Sequence, residues 1–295
     1  MSRVALVGLG EVGRVFAEDL GSTGRTELAT WDTAFGLANS RASGNARELG
    51  LTPAASSTHA VGGASLVISA VTAASCVDAA EAAAAGIGPG TWFFDLNSSS
   101  PGHKNSAAHA IEAAGAYYVE AALMSPIGPR RLASPFLLGG PQAAAFAEVA
   151  ASWGISDVTV VSDTVGRAAA TKLCRSVIVK GLESLLTESL LAARTYGVER
   201  EVLDSLSNIL PPADWDAVAG YFITRSLQHG QRRSEEMVEA AATVAEAGVD
   251  PWMSAAAVER QAWAAQYAEA APAETTVALI DGVLAAMRQE AVESL

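Results

Sequence analysis

The first residues able to do chemistry come early, as Gly8-Leu9-Gly10-Glu11-Val12-Gly13. Three glycines at this spacing meet three needs of a strand-to-helix turn. Gly8 permits the tight turn, Gly10 lets the backbone approach a pyrophosphate, and Gly13 lets the helix pack on the strand. The helix that follows offers unpaired N–H groups and a partial positive charge to the same anion. All six residues are therefore expected to line a dinucleotide. Asp32 lies 19 residues past Gly13. A carboxylate there accepts hydrogen bonds from an adenine-ribose diol and repels a 2′-phosphate. The expected cofactor is NAD(H). NADP(H) stays open, because Arg41 and Arg47 follow closely and would reach a 2′-phosphate if the loop folded back.

Other chemistries lack their residues. The chain has no Gly-x-Ser-x-Gly elbow, no His-Glu-x-x-His, no Cys-x-x-Cys and only four histidines. Nucleophilic-serine hydrolysis drops out and no metal site is expected. The net charge is −13, from 32 acidic against 19 basic residues. Phosphate backbones and anionic lipid repel such a protein, so neither nucleic acid nor membrane is an expected partner. Half the residues are hydrophobic and 17% are charged, which excludes a disordered chain. Cys76 and Cys174 make no disulfide framework and read as small buried hydrophobes. The N-terminus is too short and glycine-rich for a secretory signal, and no apolar run approaches the roughly 18 residues of a membrane helix. A cytoplasmic protein is expected.

These residues need a scaffold, and the pattern supplies one. Short apolar runs at 3–10, 26–32, 65–71, 91–97, 116–123, 134–140 and 156–163 read as strands. Helical stretches lie between most of them. Such alternation predicts a parallel sheet covered on both faces. From about Val165 no strand is evident. A long helix carries Leu173, Val177, Leu182, Leu185, Leu186 and Leu190. It is apolar around nearly its whole girth, so it should be buried in a bundle or between subunits. Further helices are expected over 199–210, 214–229, 232–247, 252–270 and 274–292, with breaks at Pro211–Pro212, Gly248 and Pro272. The predicted fold is an α/β Rossmann domain over 1–163 and an all-α domain over 164–295, joined by the long helix.

The chain resembles the β-hydroxyacid dehydrogenases, which include 3-hydroxyisobutyrate and 6-phosphogluconate dehydrogenases. The likeness rests on the glycine loop, on DLNSSSP (95–101), on VEAALMSP (119–126) and on the helical run 166–197. It spans essentially the whole chain and points to a bacterial branch with mostly unassigned substrates. The resemblance implies that Lys172 is the catalytic lysine. It implies that Val71, Thr72 and Asn97 meet the cofactor near its nicotinamide end, and that Ser98 meets the substrate. A lysine in an apolar helix is costly unless it is paired or reaches a wet cleft. Burial there lowers an ammonium pKa, which suits a general base for a substrate hydroxyl. Ser98 to Ser100 also precede a helix opening at Pro101, so an N-cap competes with the ligand role. Lys172, Ser176, Lys180 and Glu183 form one polar stripe, as on a helix lining a cleft. Glu188 matches a family glutamate and reads as structural.

The substrate half departs from the family. Met124 stands at the family's serine position with Ser125 beside it. Ser176 replaces an asparagine and is preceded by Arg175. Glu235 aligns with a second family lysine, just after Arg232 and Arg233. The expected substrate residues are Ser98, Met124, Ser125, Arg175 and Ser176. Arg130, Arg131, Arg175, Arg232, Arg233 and His229 are candidate anion binders, each with a solvated or salt-bridged alternative. Tyr221, Phe222, Trp252 and Trp263 read as core. The resemblance implies a homodimeric, NAD(P)-dependent enzyme. It would interconvert a hydroxyl and a carbonyl on a 3-hydroxy acid or related small anion. An imine reductase-like enzyme and a non-catalytic dinucleotide-binding protein are the alternatives.

Overall fold

The computed structural model describes residues 2–22, 24, 26–206 and 214–293, with only the backbone described at 188, 189, 192 and 290–293. The break expected at Pro211–Pro212 and the side chain of Glu188 lie outside the described residues. Two compact units emerge, Met1–Leu173 and Cys174–Leu295.

The first unit is a seven-stranded sheet with helices between the strands. In chain order it runs β1 (Ser2–Val7), α1 (Glu11–Ser22), β2 (Thr26–Trp31), α2 (Arg41–Glu48), α3 (Ser57–Val61), β3 (Leu66–Ser69) and α4 (Cys76–Ala84). It continues through β4 (Trp92–Asp95), α5 (Pro101–Ala113), β5 (Tyr117–Leu123), α6 (Ile127–Arg130), β6 (Phe136–Gly139), α7 (Ala143–Ala150) and β7 (Val158–Ser162). The strand order is β2-β1-β3-β4-β5-β6-β7. Alternation along each strand feeds two cores. Val4, Leu6, Leu66, Ile68 and Phe94 pack with Phe16 and Leu20 of α1 and Phe146 of α7. Ala5, Val7, Val67 and Phe93 face the other way, onto Ala79 and Ala80 of α4 and Ile111 of α5. Both faces are buried, which is why these strands read as unbroken apolar runs.

One expectation needs correction: the sheet is mixed, because β6 runs antiparallel to β5. The chain between them closes on itself, with the Met124 N–H donating to the Pro135 carbonyl at 2.9 Å. It holds the one-turn helix α6 and a 3₁₀ turn at Arg131–Ala133 and turns back as a wide hairpin, without the crossover a parallel return requires.

The second unit is helical: the rest of α8 (Arg167–Tyr196), then α9 (Glu199–Leu206), α10 (Trp215–Glu246), α11 (Trp252–Ala265) and α12 (Thr276–Glu293). Its core gathers Leu186, Leu190, Ile223, Leu227, Tyr267 and Ile280. Trp215–Glu246 form one helix, not the two expected. Gly230 is no breaker; a Cβ there would lie 2.3 Å from the Gln261 carbonyl oxygen, so this glycine lets α10 and α11 approach closely. α11 ends at Ala265 and a 3₁₀ turn spans Ala268–Ala270, where one helix to 270 was expected. The long helix is not buried all round in the single chain. Ile178, Leu182 and Leu185 are 66%, 39% and 53% exposed. Tyr221, Trp252 and Cys174 are also exposed, against the expectation that they are core.

The start of α8 lies within the first unit and is held to β5. Glu120 accepts the Gly166 N–H at 2.7 Å and the Ala169 N–H at 2.6 Å. Among the described residues no helix is long and apolar enough to cross a membrane.

Candidate active site

The parallel strands β1, β3 and β4 release their chains at one edge of the sheet, where α/β folds bind ligands. Gly8 has φ +94, and a Cβ on it would fall 2.3 Å from the Ala70 carbonyl oxygen. A Cβ on Gly13 would fall 2.1 Å from the Gly8 carbonyl oxygen. A Cβ on Gly10 would meet nothing within 4 Å. Protein packing therefore demands two of these glycines, while the third borders open space at the N-terminus of α1. A pyrophosphate fits that cradle, whose first N–H groups have no acceptor within the helix.

Asp32, at the end of β2, ties the loop down. Its Oδ2 accepts the Leu9 N–H and its Oδ1 accepts the Ala34 N–H, both at 2.8 Å. Each oxygen keeps a further lone pair for a ribose hydroxyl. Held from both sides, the carboxylate cannot swing away from an incoming group. Asn45 of α2 completes the support: its amide donates to the Leu9 carbonyl at 2.8 Å and accepts from Arg14 at 2.9 Å. The sequence reading missed Asn45, and a lone asparagine in a polar helix gave no signal. Arg47 is turned to the Ala38 carbonyl, 3.2 Å away.

From this loop a chain of contacts leads to the lysine. Gly8 packs on Ala70 and Val71. The Val71 N–H donates to Asn97 Oδ1 at 2.7 Å, and Asn97 Nδ2 donates to Ser69 Oγ at 2.9 Å. Thr72 follows Val71 and hydrogen-bonds Ser75. Next to Asn97, Ser98 Oγ accepts a hydrogen bond from Lys172 Nζ at 2.6 Å. Lys172 is half-buried, in the second turn of α8. The capping role falls to a different serine, since Ser100 Oγ accepts the His103 N–H at the start of α5. Ser98 is thus free of the cap and faces the amine.

Beneath this loop lies a buried polar layer. Asp95 Oδ2 accepts the Tyr118 hydroxyl at 2.6 Å and the Cys76 thiol at 3.4 Å. Burial, and then the Asp95 charge, pushes the Cys76 thiol up to about 12 and raises the Tyr118 phenol well above its ordinary value. Neither is an acid or nucleophile near neutrality. Burial also raises Glu120, against the opposing pull of Lys104 and two backbone N–H groups. The sequence reading missed Lys104 and Glu120. The available signal was one charge in an alanine-rich helix and one in an apolar strand.

Met124 and Ser125 leave the end of β5; Ser125 Oγ donates to the Pro126 carbonyl at 3.3 Å. Arg175 and Ser176 belong to the second unit. Ser176 is buried there, and Lys180 donates to it at 3.2 Å while pairing with Glu236 at 3.1 Å. Lys180 and Glu183 therefore face α10 and α11, correcting the view of the whole stripe as a cleft lining. Glu183 is fully buried in an ion pair with Arg233, and Gln261 donates to it at 3.3 Å. This removes Arg233 from the anion binders. Arg232 pairs with Glu236, and Glu235 accepts from Gln231. Arg130 pairs with Asp157, and Arg131 with Glu18 and Asp19. Both line a cavity of about 760 Å³ with Ser2 and Thr26, at the strand starts and away from the glycine loop.

The NAD-binding domain of 6-phosphogluconate dehydrogenase matches residues 3–151, and a domain of unknown function, DUF1932, matches residues 193–264. A conserved hypothetical protein from Sinorhizobium meliloti 1021 is similar over 96% of this chain and 95% of its own, with 34% identity and a TM-score of 0.74. A second conserved protein of unknown function, structurally similar to 3-hydroxyacid dehydrogenases, shares 30% identity over 90% of this chain and 97% of its own, with a TM-score of 0.69. The 3-hydroxyisobutyrate dehydrogenase of Mycobacterium tuberculosis, solved with L-serine, shares the fold at a TM-score of 0.72 and 17% identity, covering 96% and 99% of the two chains. No curated protein matches the sequence.

Proposed function

Because the chain belongs to the β-hydroxyacid dehydrogenase-like family and carries its dinucleotide-binding domain, we propose that it interconverts a hydroxyl and a carbonyl on a 3-hydroxy acid or related small anion. A bound nicotinamide would accept or supply the hydride. The chain does the rest. The glycine loop holds the pyrophosphate at the start of α1, Asp32 holds the adenine-ribose diol, and Val71, Thr72 and Asn97 border the nicotinamide end. NAD(H) is the cofactor in this reading, since an anchored carboxylate would confront a 2′-phosphate.

The observation that carries the reading is the 2.6 Å contact between Lys172 Nζ and Ser98 Oγ, one residue beyond the Asn97 link to Val71. The amine moves the proton to or from the substrate oxygen, and the Ser98 hydroxyl holds the amine in place. General acid–base transfer of this kind contributes about 10²–10⁴-fold. Positioning and electrostatics at the developing alkoxide supply more. Ser125 and Arg175 are the remaining candidates for the substrate anion. A homodimer would cover the apolar row Ile178, Leu182 and Leu185.

The test is Lys172→Ala, assayed on a panel of 3-hydroxy acids, 3-oxo acids and cyclic imines, with NADH and NADPH titrations alongside. Turnover should fall at least about a hundredfold while NADH affinity stays nearly unchanged. Equal turnover in both proteins would refute the role of Lys172. Turnover of imines alone would make the enzyme an imine reductase. NADH binding without turnover of anything would make it a non-catalytic binder.

A further inference from the structure

The chain has 19 basic residues, but only three are lysines: Lys104, Lys172 and Lys180. Lys104 is the most deeply buried of them, at 1% exposure. It sits in the first turns of α5, near the positive end of the helix dipole, where a cation is disfavoured. Something must outweigh burial and dipole together.

That something is a pair of carboxylates. Asp95 and Glu120 are register partners on the adjacent strands β4 and β5, and both are fully buried. Like charges directly opposed across strands repel, and burial without a counter-charge is prohibitive. Lys104 Nζ donates to Asp95 Oδ1 at 2.8 Å and to the Asp95 carbonyl at 3.2 Å. Burial by itself would depress this ammonium, yet Asp95, Cys76 and Glu120 around it hold it above its ordinary value.

Each carboxylate then governs one half of the candidate centre. Asp95 Oδ1 also accepts the Asn97 N–H at 2.9 Å and so sets the loop that presents Ser98. Glu120 takes the Gly166 and Ala169 N–H groups and so sets the end of α8 that presents Lys172. We propose that Lys104 is the positioning residue of this centre, an internal counter-ion that locks two strand ends together and so holds Ser98 against Lys172. It touches neither substrate nor cofactor. The inference rests on the dehydrogenase reading only for what the Ser98–Lys172 pair is used to do.

With three lysines in the chain, labelling by an amine-reactive succinimidyl ester, read by mass spectrometry, reports Lys172 separately from the others. Ser98→Ala provides the reference in which Lys172 has lost its serine. Lys104→Met, matched in length and apolar, should raise the labelling rate of Lys172 about tenfold, toward the Ser98→Ala rate, as expected for loss of a charge-assisted hydrogen bond. Far-ultraviolet circular dichroism and NADH affinity should stay near wild type, and kcat should fall with little change in KM. Should Lys104→Met fail to fold, Lys104→Met/Asp95→Asn removes the stranded charge nearest the lost amine, leaving Glu120 to its two backbone N–H donors, and should show the same rise. A lower melting temperature with Lys172 labelled at the wild-type rate would mean that Lys104 serves stability alone, and the proposal would fall. It would fall equally if the double variant were unfolded. Labelling needs no substrate, so a failure of the dehydrogenase reading would leave this outcome legible.

Discussion

Gly10 and Gly13 make opposite demands, and replacing each separates cofactor binding from folding. A Cβ on Gly13 would lie 2.1 Å from the Gly8 carbonyl oxygen, where ordinary contact is 3.4–4 Å. More than an ångström must come from moving α1 off β1. Overpacking of this kind costs about 1–3 kcal/mol. At about 2–4 °C per kcal/mol for a unit of this size, Gly13→Ala should melt roughly 2–12 °C lower. Gly10 has no such neighbour, so Gly10→Val should cost about 1 kcal/mol or less, the scale of a changed N-cap. Its side chain would instead fill the space offered to the pyrophosphate. NADH affinity should drop at least about a hundredfold, or roughly 2.7 kcal/mol. Fluorescence titration with NADH reads the binding, and melts with and without NADH read both terms, because a ligand stabilises only the protein that binds it. Gly10→Val that binds NADH like wild type would show that the loop is not the cradle. Gly13→Ala that melts like wild type would show that the close approach is not rigid.

Two further predictions concern the second unit. Arg233→Met strands the buried Glu183 charge and should cost about 3–5 kcal/mol in urea unfolding, with most of it recovered in Arg233→Met/Glu183→Leu; an unchanged midpoint would show that the pair is dispensable. The side-chain hydrogen bond from Arg194 holds Asp281 below its ordinary value of 3.8. A depressed carboxylate contributes stability above its unfolded pKa and loses it as pH falls through the folded one. Asp281→Asn should therefore melt slightly lower than wild type at pH 7, and the two curves should converge in acid below that ordinary value. A gap that persists there would contradict the pairing.

Much of the scaffold was legible in the sequence. The inner strands β1, β3 and β4 are buried on both faces, so they appear as apolar runs whatever their neighbours do. The glycine loop was legible for a local reason, since its turn, its close approach and its helix start all fall within six residues. The single helix α10 was read as two, because sequence does not register the close packing of α11 at Gly230. The antiparallel β6 was hidden because the pattern of a strand does not record its direction. Arg233 and Glu183 looked like separate surface and cleft residues, although they lie 50 positions apart in the chain and form one buried pair.

Periodicity and glycine spacing determined the fold class and the dinucleotide-binding domain, because each depends on neighbours close in the chain. Tertiary structure alone decided which lysine meets which serine, which serine caps and which faces the amine, and which arginines are already spent on carboxylates. Those outcomes depend on groups far apart in sequence competing for the same partners, and that competition is settled only once the chain has closed on itself.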